Sequence, residues 1–321
     1  MRKVLFSTLF VAATIGVFAQ NSKKKETKKT ATTTKATKKP AKPTIKTKWS
    51  KGGMFSLAVS QGGSRNWAPG GDRFTLAGNS FLNLYANATK GKCHWDNTLD
   101  ANYGLMNTDK FGTIKNDDKL EFTSKWTHEF GKSRRADSSK RWRYGVTANF
   151  RTQFTAGYDY DGDAPKRISD FLAPGIFVLS PGVDYMGIIK GLNLHVSPVA
   201  GRWILVPNRP YELAANYGVK PNHEVKNEFG TYVSLNYGRE IMKNVYYRSK
   251  VDLFSDYISS KPLNIDVYWT NMFYLKVNKY LGVIYNFDLQ YDDDTRIFGY
   301  GKDRPATQLK SIFGVGLSVR F

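Results

Sequence analysis

Apolar and polar side chains alternate along much of this chain, and one stretch carries the pattern unusually far. From Trp142 to Tyr160 the even positions are almost all apolar or aromatic, whereas the odd positions are mostly polar and include Arg143 and Arg151. A period of two predicts an extended strand with one apolar face and one polar face. Strands usually run about five or six residues. So long an alternation indicates a sheet that separates an apolar environment from an aqueous one.

The same alternation returns throughout the chain after Trp49 and predicts twelve strands. After the N-terminal leader, no apolar run reaches the length of a transmembrane helix. Two of the strands are irregular, because Pro174, Pro181 and Pro198 interrupt them and proline cannot donate to a ladder. The predicted strands cover residues 53–60, 73–88, 93–107, 118–131, 141–158, 171–186, 191–205, 229–239, 244–257, 263–277, 280–292 and 308–321.

The connections between these strands alternate in length. Those after strands two, six, eight and ten are short and contain lysine, whereas those after odd strands are generally long, as at 107–118 and 206–228. This arrangement is typical of an up-and-down barrel with both chain termini at the short-turn end. The sequence therefore predicts an all-β fold, a closed antiparallel transmembrane β-barrel of about twelve strands, with ten or fourteen as alternatives.

A membrane accounts for the two faces of these strands. A closed sheet has no unpaired edge, and lipid requires this because no water there can satisfy backbone groups. The ten steps from Tyr144 to Phe154 cover about 33 Å of strand, or about 25 Å of membrane at a tilt of about 40°. Trp142 and Tyr144 fit the aromatic girdle at one end of this strand, and Phe154 to Tyr160 fit the girdle at the other.

The N-terminal part of the chain has a different composition. Residues 1–19 carry two basic residues, an apolar run and small residues up to Ala19, which predicts a secretory signal peptide. Residues 20–48 contain eleven lysines and almost no apolar side chain, so we expect a disordered periplasmic tail. The barrel domain is then predicted at 49–321. Its one cysteine, Cys93, excludes an internal disulfide.

Most of the net charge of +21 belongs to this N-terminal part, because only +9 remains for residues 49–321. An exported chain meets little nucleic acid, so the basic composition does not predict a nucleic-acid partner. We expect outer-membrane lipid around the barrel. For the tail two roles stay open, a solvated spacer and a contact with peptidoglycan or a periplasmic protein.

The chain ends on an alternating strand that closes on an aromatic residue. This ending resembles the C-terminal assembly signal of outer-membrane barrels, which implies that the barrel-assembly machinery is a partner during insertion. The apolar positions of the predicted signal are Phe313, Val315, Leu317, Val319 and Phe321.

Three motifs near the start of the predicted barrel point to a family. They are W-S-K-G-G at 49–53, N-W-A-P-G-G at 66–71 and W-D-N-T-L-D-A-N-Y-G at 95–104. They resemble the Bacteroidetes DUF3078 family, most clearly over residues 49–107. The resemblance implies a secreted barrel of unknown function and supplies no catalytic residues. With the signal peptide, it leads us to expect the outer membrane of a Gram-negative bacterium, with the tail and the C-terminus periplasmic.

The sequence contains none of the catalytic or metal-binding motifs that we considered. It has no G-x-S-x-G, H-E-x-x-H or H-x-S-N-type stretch and no paired-cysteine spacing. We interpret the acidic stretches at 159–163 and 292–294 as solvated loop residues. We expect no enzyme activity, cofactor or metal. Girdle, lumen or loop positions are predicted for the four histidines, with His128 on the lipid face: His94, His128, His195 and His223.

The polar faces of the strands predict the lining of the lumen. It receives eight cations and seven anions, so neither sign dominates. A twelve-stranded barrel lies between a side-chain-filled barrel and an open channel. Two functions therefore stay open, a narrow pore for polar or charged solutes and a non-transporting structural or accessory barrel that binds assembly or secretion partners. The predicted lining residues are Asp96, Asp100, Glu121, Lys125, Glu129, Arg143, Arg151, Arg248, Lys250, Asp252, Asp266, Lys276, Asp288, Lys310 and Arg320.

Overall fold

A computed structural model of the chain describes residues 46–62, 74–109, 111–130, 141–160, 164–187, 189–207, 211–259, 263–296 and 304–321. The predicted signal peptide, residues 20–45 of the predicted tail and the motif at 66–71 lie outside the described residues. Among the described residues, no helix is both long enough and apolar enough to cross a membrane.

Twelve antiparallel strands form one closed barrel, and each predicted strand corresponds to one of them. The ring closes where Met54 to Val59 pair with Arg320 to Val315. The barrel strands are β1 (Lys48–Gly62), β2 (Thr75–Lys90), β3 (Cys93–Thr108), β4 (Gly112–Glu129), β5 (Arg141–Thr152), β8 (Gly175–Met186), β9 (Leu192–Leu205), β10 (Val225–Met242), β11 (Val245–Asp256), β12 (Asp266–Lys276), β13 (Leu281–Tyr291) and β14 (Gln308–Arg320). Elements outside the barrel are β6 (Gly157–Asp159), β7 (Lys166–Ser169) and α1 (Tyr211–Ala215). The predicted closed up-and-down barrel is confirmed, and twelve is the strand number.

The fifth strand is shorter than its alternation predicted. β5 ends at Thr152, and residues further along pair in the separate two-stranded sheet of β6 and β7. The backbone N–H groups of Phe154 and Thr155 donate to the Asp118 carboxylate at 2.7 and 3.0 Å, where the chain leaves the barrel wall. The prediction that Phe154 to Tyr160 form the second aromatic end of this strand is therefore wrong. The period of two continued through 158 because a second, external strand follows the first.

The two ends of the barrel differ in their connections. Lys90 of β2 and Cys93 of β3 are joined by a two-residue turn in which Gly91 has a φ of 62°, a left-handed conformation that glycine adopts without strain. At the opposite end, residues 206–224 contain α1. The connection of β3 to β4, predicted to be long at 107–118, is instead short, because β3 ends at Thr108 and β4 begins at Gly112. The strands continue into the predicted loop, which is why that prediction is wrong.

A register shift reverses the alternation within β9. The pairing of β9 with β10 shifts between Gly230 and Tyr232. Before the shift His195 is buried toward the interior, whereas after it Ala200 and Arg202 are buried. The inward positions of β9 thus change from odd to even numbers. Such a bulge places an extra residue in one strand, and Pro198 lies at this position of β9.

The two faces of the barrel wall differ in chemistry. The predicted C-terminal signal lies on the outside, where Phe313 is 58% and Phe321 67% exposed. His128 also lies on the outer face, as predicted, because its ring centre is 5.4 Å from that of the exposed Tyr144. Inside the barrel, Glu121 and Asp184 are only 3% and 1% exposed. Charges that are buried in this way require partners.

Candidate functional site

An arginine and an aspartate join opposite walls of the barrel. Asp100 lies on β3 and Arg248 on β11, and these strands are six apart in both directions around the ring of twelve. Two parallel hydrogen bonds of 3.0 Å run from the Arg248 guanidinium to the two Asp100 carboxylate oxygens. Such bidentate contacts are among the strongest charge-assisted hydrogen bonds. Opposite walls of the barrel therefore touch through these side chains, and the contact narrows the lumen at this level.

A second set of ion pairs lies beside the first. Lys250 of β11 donates to Glu121 of β4 at 2.7 Å and lies 2.9 Å from Asp252. Arg151 of β5 lies 3.3 Å from Glu121 and 3.5 Å from Asp252. Two cations are therefore shared by two anions. We call the set of Asp100, Glu121, Arg151, Arg248, Lys250 and Asp252 the waist network.

Another bridge crosses the lumen with a residue that sequence reasoning missed. Lys310 of β14 donates to Asp117 of β4 at 2.7 Å and lies 2.8 Å from Asp288. A strand that begins at residue 118, as the sequence predicts, leaves Asp117 in a loop. In the structure β4 begins at Gly112 and carries a register shift opposite Gly104.

A further cluster lies at the end of the barrel that carries the long connections. Arg202 contacts Glu228 and donates to Asp266 at 2.5 Å, while Lys226 lies 2.5 Å from Asp294. Asp292 lies 4.0 Å from Arg202, and burial raises the pKa of the Asp292 carboxyl. Both residues lie in the loop after β13, as expected, and the side chain of Asp294 is 38% exposed. The expectation of solvation is wrong for Asp292, whose side chain is only 12% exposed and faces Arg202. Of the other acidic stretch, residues 161–163 lie outside the described residues.

Ser180, His195 and Asp184 form a buried chain of polar contacts. Nε2 of His195 lies 3.2 Å from Oγ of Ser180, and Nδ1 lies 3.2 Å from Oδ2 of Asp184. This resembles the order of a nucleophile, base and orienting acid. However, Ser180 is 0% exposed and Asp184 is also paired with Lys125, so the hydroxyl has no opening toward a substrate. No sequence motif indicated this cluster; only the pairing of Asp184 with His195 across a hairpin could have found it.

The remaining predicted lumen residues lie toward the short-turn end. Glu129 lies 2.9 Å from His94 and 3.4 Å from Arg143. Asp96 is in register with Lys125 on the neighbouring strand. Lys276 is exposed at the end of β12. Among the described residues, no group of three or more His, Cys, Asp or Glu side chains is arranged to hold a metal ion.

The free space in the lumen is unequal on the two sides of the waist network. Near Arg202 and Asp292 the cavity measures about 60 Å³, and between Asp100, Glu121 and Asp288 it measures about 40 Å³. At the short-turn end an open cavity of about 740 Å³ enters the barrel. We call it the vestibule, and its inward-facing lining includes Asn83, Tyr85, Asn87, Glu240, Tyr246, Arg248 and Arg320.

A closed antiparallel barrel with an apolar exterior and a charged interior has the architecture of an outer-membrane β-barrel. The model of the family described as "Protein of unknown function (DUF3078)" matches residues 59–158. This confirms the family resemblance over that part of the chain. The chain matches no curated protein.

Several solved structures are similar to this chain at low sequence identity. The NanC porin has a TM-score of 0.37 and 12% identity, over 82% of this chain and 98% of that one. The translocator domain of the autotransporter NalP from Neisseria meningitidis has a TM-score of 0.34 and 10% identity, over 85% and 89%. The COG4313 outer membrane channel from Pseudomonas putida F1 has a TM-score of 0.36 and 8% identity, over 90% and 100%.

Proposed function

We propose that this chain is an integral outer-membrane β-barrel with a closed lumen, acting as a structural or accessory component of the envelope. The observation that carries this proposal is the bidentate contact of Asp100 with Arg248 between opposite walls. A general pore needs a continuous water-filled path. Further ion pairs lie beside this contact, and the cavities near them measure only about 60 and 40 Å³, which supports a closed lumen. The orientation that goes with this proposal places the tail and the C-terminus in the periplasm, because short turns face that side in bacterial barrels.

The partners we propose follow from three parts of the chain. Lipid surrounds the apolar wall, and the barrel-assembly machinery reads the exposed strand that ends at Phe321. The lysine-rich segment at 20–45 contacts peptidoglycan or a periplasmic protein through its charge.

We propose no enzymatic activity for the Ser180 cluster. The hydroxyl of Ser180 lies 3.4 Å from the Thr147 carbonyl oxygen as well as 3.2 Å from His195, so it forms part of the packing of the wall. Labelling of Ser180 by a fluorophosphonate probe in the folded protein would contradict this interpretation.

The second candidate function is a gated pore, and the vestibule is the observation that favours it. Its volume of about 740 Å³ lets a small solute enter the barrel as far as Arg248. Conduction would then require that the waist network separates.

Conductance in planar bilayers tests the two functions against each other. We expect the purified protein, with and without residues 20–45, to give no steps of uniform size. We expect a variant with Asp100, Glu121, Arg248 and Lys250 all changed to Ser to conduct ions, because it removes two charges of each sign from the waist. Lys279→Gln, which removes an exposed cation stacked on Tyr280 at 5.1 Å, serves as the control and should stay silent.

Uniform steps from the wild-type protein would contradict the closed lumen and support the gated pore. The accessory role has its own test. Cross-linking in the outer-membrane fraction should recover an envelope protein in stoichiometric amount with the barrel, and recovery of none would contradict that role.

A further inference from the structure

Arg320 of β14 differs from other lumen arginines in its neighbours. Its guanidinium carbon lies 3.6 Å from the ring centre of Tyr246 and 4.6 Å from that of Tyr274. Arg151 and Arg248 each pair with a carboxylate. In the part of the chain that the structure describes, no carboxylate forms an ion pair with Arg320. Two aromatic faces thus stabilise its charge, and no described carboxylate lies within ion-pair distance of it.

The guanidinium faces a space that is large enough for a ligand. Arg320 is exposed and lines the vestibule, whose volume of about 740 Å³ falls within the range of about 300–1,000 Å³ usual for small-molecule sites. Tyr85 and Asn87 add a hydroxyl and an amide to the same lining. The lining also holds the carboxylate of Glu240, which accepts a hydrogen bond from the backbone N–H of Asn244 at 2.9 Å. Because no ion pair occupies Arg320 among the described residues, the lining still suits a polar ligand with an acidic group.

Stacking determines which part of Arg320 a ligand would meet. Because the rings cover the face of the guanidinium, its edge carries the N–H donors that remain for a ligand. Those donors form a planar fork that matches the two oxygens of a carboxylate. A lysine at this position would keep the charge but would lose the fork and the stacking.

We propose that the vestibule binds a polar ligand with a carboxylate group, which Arg320 anchors through bidentate hydrogen bonds. Two sources fit this chemistry, the free carboxylates of peptidoglycan stem peptides and small carboxylate solutes. The proposal goes beyond the closed-lumen function, because binding in the vestibule requires no path through the waist network.

Calorimetry on the protein refolded in detergent tests this site with four probes. They are purified muropeptides with free stem-peptide carboxylates, the same muropeptides after amidation, succinate and inorganic phosphate. We expect at least one carboxylate probe to bind, and Arg320→Gln to weaken its binding by about tenfold or more. Arg320→Lys should lose part of the affinity, and Lys279→Gln should lose none. Tighter binding of the free muropeptide than of succinate assigns the ligand to peptidoglycan, and the reverse assigns it to small solutes.

Several results would overturn the proposal. They are the failure of both carboxylate probes to bind, equal binding of the amidated muropeptide, preferential binding of phosphate, and unchanged affinity of Arg320→Gln. Heat-modifiable gel mobility establishes that each variant folds. If Arg320→Gln does not fold, phenylglyoxal modification of Arg320 in the wild-type protein decides the question. The bound probe should slow that modification, and an unchanged rate would contradict the site.

Discussion

The waist network and the vestibule use the same kinds of side chain in opposite ways. In the waist, Arg151 lies over the Tyr268 ring at 3.5 Å and is also within 3.5 Å of two carboxylates. In the vestibule, Arg320 lies over Tyr246 at 3.6 Å and pairs with no carboxylate among the described residues. An arginine whose counterions come from the wall joins strands together. One whose counterion is missing from the wall is available to bind an anion from outside.

The two regions also differ in what the charges contribute to stability. A buried ion pair is only weakly favourable against apolar side chains of similar volume, because both charges lose their hydration. Removal of one partner is strongly unfavourable, because it leaves a buried charge without compensation. The waist should therefore be sensitive to single substitutions, whereas vestibule residues outside the waist network, such as Arg320, should tolerate them.

The largest effect is expected from Glu121→Ala in the waist. Glu121 lies within 3.7 Å of Lys119, Arg151 and Lys250, so its loss leaves excess buried positive charge. We expect the free energy of unfolding to fall by about 3–5 kcal/mol. Urea unfolding in lipid vesicles measures this change.

The matched control for that prediction is Arg320→Gln in the vestibule. It removes an exposed charge without an ion-pair partner among the described residues, so the loss should stay below about 1 kcal/mol. Equal losses at Glu121 and Arg320 would show that the distinction between the two regions is wrong.

A third environment for an arginine sharpens the comparison. Phe150 of β5 precedes Arg151 and lies on the apolar face, in register with Phe122 and Phe177 of the neighbouring strands. Phe150→Arg would place a cation in lipid, where neither a carboxylate nor bulk water is present. We expect a loss of about 2–4 kcal/mol. Refolding yield into vesicles, read from heat-modifiable gel mobility, checks it. Retention of wild-type yield by Phe150→Arg would mean that this face does not meet lipid.

Much of this architecture could be predicted from the alternation of residues. The alternation alone predicts that Asp100 and Arg248 lie on the polar faces of their strands. Their contact could not be predicted, because it joins strands that are far apart in the chain and meet only when the ring closes. The position of Arg202 could not be predicted either, since the register shift in β9 reverses the alternation before it. Local pattern thus determines the face of a residue, whereas ring closure and bulges determine its partner.

The smallest effect is expected at Asp292, whose charge is only partly compensated. Arg202 already contacts Glu228 and Asp266, so at 4.0 Å it only partly opposes the burial that raises the pKa of Asp292. Because the folded pKa lies above the unfolded value of about 3.9, the folded state favours the protonated carboxyl. The contribution of Asp292 to stability is then fully present when the pH lies below the unfolded pKa. It is lost as the pH rises through the folded pKa. Asp292→Asn, which stays neutral, should therefore be more stable than the wild-type protein at neutral pH, and the difference should disappear in acid. Urea unfolding midpoints of both proteins, measured from acid to neutral pH, check the sign of the stability difference. A variant that is less stable at neutral pH would mean that Arg202 compensates Asp292 fully, as carboxylates of the waist are compensated.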